Sequence, residues 1–414
     1  MSNWQISTLG KVADFVLGKM LDQVKNKGEL RPYLANINVR WGEFDLDNLR
    51  EMRFEQREVD RYSLRYGDIV MCEGGEPGRC AIWRCREASL MIQKALHRIR
   101  PHDYLDSSFL YYAFLNLRRS DGFAGYFTGS TIKHLPREQL AKIEVRFPEI
   151  STQRAIAAIL SAYDDLIANN QRRIALLERM AEDIYREWFV RLRFPGHEQV
   201  KIEKGVPQGW HFADLSEMAG INTSSIRKGT QSERIFYIDI SAVSTNHIDD
   251  LTDMALADAP GRARRLVKHG DVVWSSVRPA NRAYCLIYEP LENLVASTGF
   301  AVISPKRGFP FTFINFAVTS DSFVEQMAMV AKGSAYPATS FDDFGKAKII
   351  CPSPALLARF HEICEPMFKR RHQLRLANAA LAKQRDALLP RLISGKLAVD
   401  SLDIRFPPGM EVLD

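Results

Sequence analysis

Two stretches of this chain repeat apolar residues at steps that alternate four and three. From 151 to about 191 there is no Pro or Gly, and Ile156, Leu160, Tyr163, Ile167, Ile174, Leu177, Ala181, Ile184 and Trp188 fall on one stripe, with Asn170 its polar interruption. That spacing predicts a long amphipathic helix with a heptad seam. Pro148 precedes it, Ser151 is a natural N-cap, and Pro195-Gly196 follow it. A second, more polar seam runs through Phe360, Cys364, Met367, Arg371, Leu374, Asn378, Leu381, Arg385, Leu388 and Leu392. Ser353-Pro354 opens it and Gly395 marks its stop. A helix of ~40 residues spans ~60 Å, more than one small domain needs. Two such helices bury their stripes most simply against each other. A whole globular segment connects them, so they can run antiparallel.

The segments ahead of the helices, about 1–148 and 207–352, read differently. Short β-type runs at 68–71, 81–83, 142–147, 271–274, 301–304 and 347–351 are separated by turn residues, with helical patches at 108–117 and 311–318. The two segments are also copies. Tyr33 and Tyr237, Val39 and Val243, Pro101 and Pro305, Phe109 and Phe313, Gly129-Ser130 and Gly333-Ser334, and Pro148 and Pro352 all stand 204 residues apart. Gly67-Asp68-Ile69-Val70 recurs as Gly270-Asp271-Val272-Val273 at 203. Ordered matches at one offset mean duplication. The expected fold is α+β: two tandem pseudo-symmetric α/β domains separated by two long helices that form an antiparallel coiled coil. The expected layout is a first domain over 1–150, a first helical region over 151–195, a second domain over 196–352, a second helical region over 353–400 and a tail over 401–414.

Composition narrows the function classes. With 46% hydrophobic and 26% charged residues the chain has an ordinary globular make-up, and its formal charge of +6 suits an acidic partner without requiring one. No apolar run approaches the ~18 residues of a membrane helix, and the opening residues lack a secretory layout. A cytoplasmic protein with no membrane contact is therefore expected. Six cysteines without a CxxC pair read as reduced, mostly buried thiols, and no metal site is expected. The sequence has no phosphate-binding GxxxxGK[ST], no GxGxxG after a strand, no GxSxG elbow and no HExxH pair. Asp68 and Asp271 sit in Gly-Asp turns, where turn geometry accounts for them. The chain reads as a binding protein, with no catalytic residue and no cofactor of its own.

Binding is expected in loops that recur while their side chains differ. After each Gly-Asp strand comes a stretch rich in Gly, Pro and Arg: residues 73–79, with Arg79, and residues 275–282, with Arg278, Asn281 and Arg282. Arg offers a rigid fork for guanine edges or phosphate, and Asn a bidentate match to adenine. A second pair comprises Ser130, Thr131, Lys133 and His134 in one copy and Ser334 and Tyr336 in the other. Small hydroxyl residues let backbone N–H groups approach phosphate, and Lys and His add charge. Lys25 and Lys27 are further candidates, as are Arg118, Arg119, Arg264 and Arg265. One frame carrying divergent tips is what two readers of different DNA sequences need. A scaffold gripping protein partners with two α+β modules on a coiled-coil rod is the alternative.

The residues resemble the specificity subunit of type I restriction–modification systems along essentially the whole chain. The resemblance rests on Val206-Pro207-Gln208-Gly209-Trp210 opening the second copy and on the paired Gly-Asp strands. Residues 129–134, and 388–397 reading Leu-Leu-Pro-Arg-Leu-Ile-Ser-Gly-Lys-Leu, carry it further. It departs at Ala335-Tyr336-Pro337, where the first copy has Thr131-Ile132-Lys133. The resemblance implies two target-recognition domains that each read one half of a bipartite sequence in double-stranded DNA. It implies spacer helices that set the gap, and two methyltransferase subunits that dock on the chain and bring S-adenosylmethionine. Motor-nuclease subunits join for restriction. The target adenine would be flipped into a partner's pocket.

Overall fold

Strand pairing repeats across the two copies. In the first, Ala13–Leu17, Leu96–Pro101, Ile69–Cys72 and Cys80–Ile82 form a four-stranded antiparallel sheet in that order. In the second, Ala219–Ile221, Phe300–Pro305, Val272–Ser275 and Tyr284–Leu286 pair in the same order and sense. These pairings come from a computed structural model that describes residues 4–20, 22, 26–86, 90–226, 233–400 and 402–406. Gln5–Thr8 pairs with Glu144–Phe147, as His211–Asp214 pairs with Lys348–Cys351. A further sheet places Glu29–Leu34 between Arg50–Phe54 and Met91–Ile92, matched by Arg234–Ile238 between Thr252–Ala255 and Leu294–Ser297. The fold is α+β, two pseudo-symmetric domains in tandem with two long helices, Ile150–Tyr185 and Pro354–Ile393.

The strands predicted from the Gly-Asp turns lie within a residue of those observed. Others were hidden. Glu29–Leu34 is a central strand with a proline inside it, a residue that normally argues against such an assignment. Pro32 is accommodated because the parallel neighbour pairs only from Tyr33 onward. In Arg50–Phe54 the alternation survives beneath the charge, since Met52 and Phe54 are buried and Arg53 between them is exposed. The copies differ at one edge. Residues Gln56–Tyr62 form a helix, with the Glu58 carboxylate accepting from the Glu55 N–H at 2.9 Å and from Lys19 Nζ at 2.5 Å. The second copy instead adds the strand Ala263–Leu266 to its sheet.

The chain forms two compact units, residues 1–169 with 378–414 and residues 170–377, and each long helix contributes one half to each. Within the first unit Asp164 is ion-paired with Arg385 and accepts from the Tyr112 hydroxyl at 2.6 Å, while the Asn378 amide donates to the Ile167 carbonyl at 3.4 Å. Within the second, Glu178 accepts from Arg371 at 3.2 Å and Arg375 at 3.1 Å, and the Tyr185 and Phe360 rings lie 6.2 Å apart. In both, residue numbers rise along one helix as they fall along the other, so the pairing is antiparallel. Ile156, Leu160, Phe360, Leu374 and Leu392 are buried, and Tyr163, Ile167, Ile174, Leu177, Ile184, Met367, Leu381 and Leu388 are half-buried. The first helix ends in a π-turn, Arg186–Val190, where the Arg191 N–H reaches back to the Arg186 carbonyl at 2.8 Å. The extra residue in that turn lets Trp188 and Phe189 both enter the core, with Phe189 5.0 Å from Phe313 and 5.1 Å from Phe360.

The repeated Gly-Asp turn is built alike and stabilised differently. The Arg65 N–H donates to Asp68 at 2.7 Å, and the Lys268 N–H to Asp271 at 2.9 Å. Asp68 also receives a bidentate fork from Arg100 at 2.7 and 2.8 Å. Ser304 occupies the matching position in the second copy, and Asp271 Oδ1 has no hydrogen-bond partner among the described residues. Burial pushes the Asp271 carboxyl above its ordinary value of 3.8. As pH rises past 3.8 the unfolded chain ionises first, so wild-type stability falls until the folded carboxyl ionises as well. Asp271→Asn should abolish this fall, with its stability gaining on wild type between pH 4 and neutrality in urea unfolding. A constant difference across that range would show that Asp271 is not the titrating group.

Candidate nucleic-acid interface

In each unit the two segments singled out from sequence are brought onto one edge. Gly74 and His134 form a β-bridge, the Leu135 N–H donates to the Glu73 carbonyl at 2.8 Å, and Thr128 and His134 exchange hydrogen bonds at 2.9 Å. The second copy repeats the arrangement. Val277 bridges Ala338, the Thr339 N–H donates to the Ser276 carbonyl at 2.8 Å, and Lys332 and Ala338 exchange bonds at 2.9 Å. Gly129 and Gly333 start the tight turns at φ of +89° and +107°. A Cβ on Gly129 would lie 2.3 Å from the Ile132 carbonyl oxygen, and one on Gly333 3.0 Å from that of Tyr336. Only glycine fits either turn.

The turns hold their tips outward. Ser130, Thr131, Lys133, His134 and Ser334 are exposed. Ile132 is 67% exposed and Tyr336, its counterpart 204 residues on, 69%. A large apolar side chain offered to solvent at the same place in both copies does nothing for either core. It suits contact with a thymine methyl or stacking on a base.

The loop arginines divide into two kinds. Arg79 donates to Glu76 at 2.9 Å and to the Asn36 carbonyl at 2.8 Å, so its fork holds the loop closed. Glu76 also accepts from the Trp41 indole at 3.0 Å, and the Arg118 guanidinium lies over the Trp41 ring at 4.9 Å. Arg282 is ion-paired with Asp321, whose hydrogen bond raises its pKa further. Arg278 forms no salt bridge among the described residues. Its guanidinium lies over the Tyr336 ring at 4.5 Å, and its backbone N–H donates to the Pro337 carbonyl at 2.7 Å. Arg278 and Arg282 are both left-handed, at φ of +51° and +55°; the strand and bridge registers place Gly75 (+82°) and Gly78 (+90°) at the matching positions of the first copy. A non-glycine residue in that conformation costs roughly 1–2 kcal/mol.

Other candidates fall elsewhere. Asn281 is exposed beside Arg278, and its N–H donates to the Arg278 carbonyl at 2.9 Å. Lys27 is exposed just ahead of Glu29–Leu34, outside the bridged segments. Lys25 lies outside the described residues. Arg119 is tied to Asp386, and Arg265 is half-buried over the Phe341 ring at 5.2 Å. Sequence reasoning missed Asn36, Glu76 and Asp321, which position the arginines; 43 residues separate Asn36 from Arg79, and no local pattern announces the pair. All six cysteines are free thiols, and burial pushes that of Cys285 up to about 11. Among the described residues no group of three or more His, Cys, Asp or Glu could hold a metal ion.

Residues 1–179 match the type I restriction modification DNA specificity domain family. The chain is 24% identical over 375 residues to the type I restriction enzyme MjaIX specificity subunit of Methanocaldococcus jannaschii, covering 85% of this chain and 83% of that protein. It is 26% identical over 136 residues to the type I restriction enzyme HindI specificity subunit of Haemophilus influenzae, 32% of this chain and 30% of that one. In fold it resembles the crystal structure of a type I restriction–modification S subunit from M. genitalium, with a TM-score of 0.58 at 19% identity over 94% of this chain and 96% of that one. The duplicated frame thus resembles in fold that of a type I restriction–modification S subunit. The chain is similar to type I restriction–modification specificity subunits, with the family's domain matched over its first 179 residues and one such subunit over 375.

The glycine turns are directly testable. Gly129→Ala should destabilise the chain by about 1–3 kcal/mol in urea unfolding. Gly125→Ala, where a Cβ would meet nothing within 4 Å, should be close to neutral. Equal effects would mean that the turn does not depend on glycine.

Proposed function

We propose that the chain is the sequence-specific DNA-binding subunit of a type I restriction–modification complex, each domain reading one half of a bipartite target. One observation carries this: the same hydrogen-bonded loop pair occurs in both units with different tips, Ile132-Lys133 against Tyr336-Pro337 and Gly75 against Arg278. Ser130, Thr131, Lys133, His134, Ser334 and Tyr336 are the candidates for DNA contact at the tips, and Arg278 and Asn281 on the neighbouring loop. Arg79 and Arg282 act chiefly by shaping the loops that carry them. The chain itself performs no chemistry. Two methyltransferase subunits dock on the helices and domains and supply S-adenosylmethionine, and motor-nuclease subunits join when the complex restricts. A membrane role has no support, as no helix among the described residues is long and apolar enough to cross a bilayer. A protein-binding scaffold is not favoured.

The paired helices act as the ruler between the half-sites, a role supported by their antiparallel pairing within each unit. Selection from a random-sequence duplex pool, with the full chain and its methyltransferase, should enrich a two-part motif with one fixed gap. Its affinity should fall steeply with salt, because phosphate contacts release counterions. Inserting seven residues after Asn170, with a matching insertion in the second helix, should alter the gap and leave both half-sites unchanged. An unaltered gap would remove the helices from the ruler role; salt-insensitive binding would favour the scaffold.

A further inference from the structure

Three arginines lie on the loops that follow the Gly-Asp strands, and only one has its charge unspent. Glu76 neutralises Arg79 and Asp321 neutralises Arg282, whereas Arg278 meets no carboxylate among the described residues. Its guanidinium is nevertheless not left to wander. It is stacked on the exposed Tyr336 ring, and a longer contact of 3.4 Å runs from Nη2 to the Ala335 carbonyl. The backbone beneath it is pinned by the bond to Pro337.

This placement has a conformational penalty that the first copy avoids. At the matching position the first copy has Gly75, for which a positive φ is ordinary, and at the matching tip it has Ile132. The second copy has an arginine at the strained position and an aromatic ring under it. The backbone bridge from Val277 to Ala338 is built the same way as that from Gly74 to His134, so forming it requires neither the arginine nor the ring. A non-glycine residue held in a sparsely populated conformation points to a functional demand. An exposed fork already stacked on a ring is complementary to guanine, which offers O6 and N7 side by side in the major groove.

We infer that Arg278, held on Tyr336, is the guanine-reading residue of the second half-site, and that the first half-site is read without a counterpart to it. This rests on the DNA-reading function proposed above.

The test compares wild type, Arg278→Gly, Arg278→Lys and Tyr336→Ala as full chains with the methyltransferase, on a random-sequence duplex pool. Arg278→Gly should lose a guanine preference at one position of one half-site, with discrimination there falling about 5- to 150-fold. The other half-site should stay as in wild type and serves as the internal control. Because the substitution restores the residue type of the first copy, its thermal unfolding midpoint should be unchanged or higher. Arg278→Lys keeps the charge and loses the fork, and should relax the same position. Tyr336→Ala should weaken that preference without moving it. Several outcomes would overturn the inference: a guanine preference that survives Arg278→Gly, a uniform loss of affinity with the motif intact (a phosphate contact), or a lowered midpoint for Arg278→Gly. A wild-type chain that enriches no motif at all would instead sink the DNA-reading function itself.

Discussion

Neither α+β domain closes its core with its own copy of the sequence alone. In the unit of 1–169 and 378–414, Leu389, Leu392 and Ile393 from the end of the second helix pack with Leu9, Phe109, Ile156 and Leu160. In the unit of 170–377, Tyr185, Trp188 and Phe189 from the end of the first helix pack with Leu215, Phe313, Phe360 and Cys364. Tyr185, Trp188 and Phe189 stand 204 residues before Leu389, Leu392 and Ile393. The same helix-end positions therefore do the same work twice, each time in the unit built on the other copy. Burying each of these side chains contributes about 1.5–3 kcal/mol. A copy taken with only its own helix would lack the face that completes it. Antiparallel pairing follows from this exchange, because a helix must start against one core and finish against the other.

The exchange leaves the loop edge of each unit free to diverge. What joins the loops is backbone hydrogen bonding: Leu135 to Glu73 in one unit, Thr339 to Ser276 in the other. Such bonds do not depend on side-chain identity, apart from the glycines that begin the turns. Tips can then change, as Ile132 and Tyr336 have, without disturbing the frame that presents them. A scaffold of this kind separates stability, which sits in strands and helix ends, from specificity, which sits on a few exposed side chains.

Much of this is legible in the sequence, for identifiable reasons. Heptad spacing is a periodic signal that accumulates over some forty residues, so both helices can be read from the residues alone, and the globular segment between them allows the antiparallel sense. Duplication is readable because Gly-Asp, Gly-Ser and Pro positions keep their offset. The loops are visible as candidates, but their union is not. The bridge of Gly74 to His134 spans sixty residues of chain, and neither residue signals the other. The exchange of helix ends is hidden for the same reason, since an apolar stripe says that it is buried and not against what. Arginine roles are the least legible. Arg79, Arg278 and Arg282 look alike in sequence, and only Glu76, Asp321 and Tyr336 tell them apart in space.

The second copy carries local penalties of its own around the Arg278 loop and the Gly-Asp turn. Two left-handed arginines together cost roughly 2–4 kcal/mol, and buried Asp271 has one carboxylate oxygen with no hydrogen-bond partner among the described residues. The strand registers set Trp274 against Met71 of the first copy, and the offset of 204 sets Phe300 against Leu96 and Phe344 against Leu140; all of these side chains are fully buried. The exchanges toward aromatic residues enlarge the buried apolar side chains of the second copy. Trp274 meets Phe344 edge-on at 5.2 Å and Phe323 at 6.1 Å, and its indole N–H donates to the Val318 carbonyl at 2.9 Å. Each such ring pair adds about 0.5–1.5 kcal/mol beyond its buried area, comparable to the strain at one arginine. Trp274 sits on the strand Val272–Ser275, which runs into the loop bearing Arg278. The aromatic cluster thus packs the root of the loop that presents Arg278, and stability beneath that loop is supplied by side chains other than those at its tip.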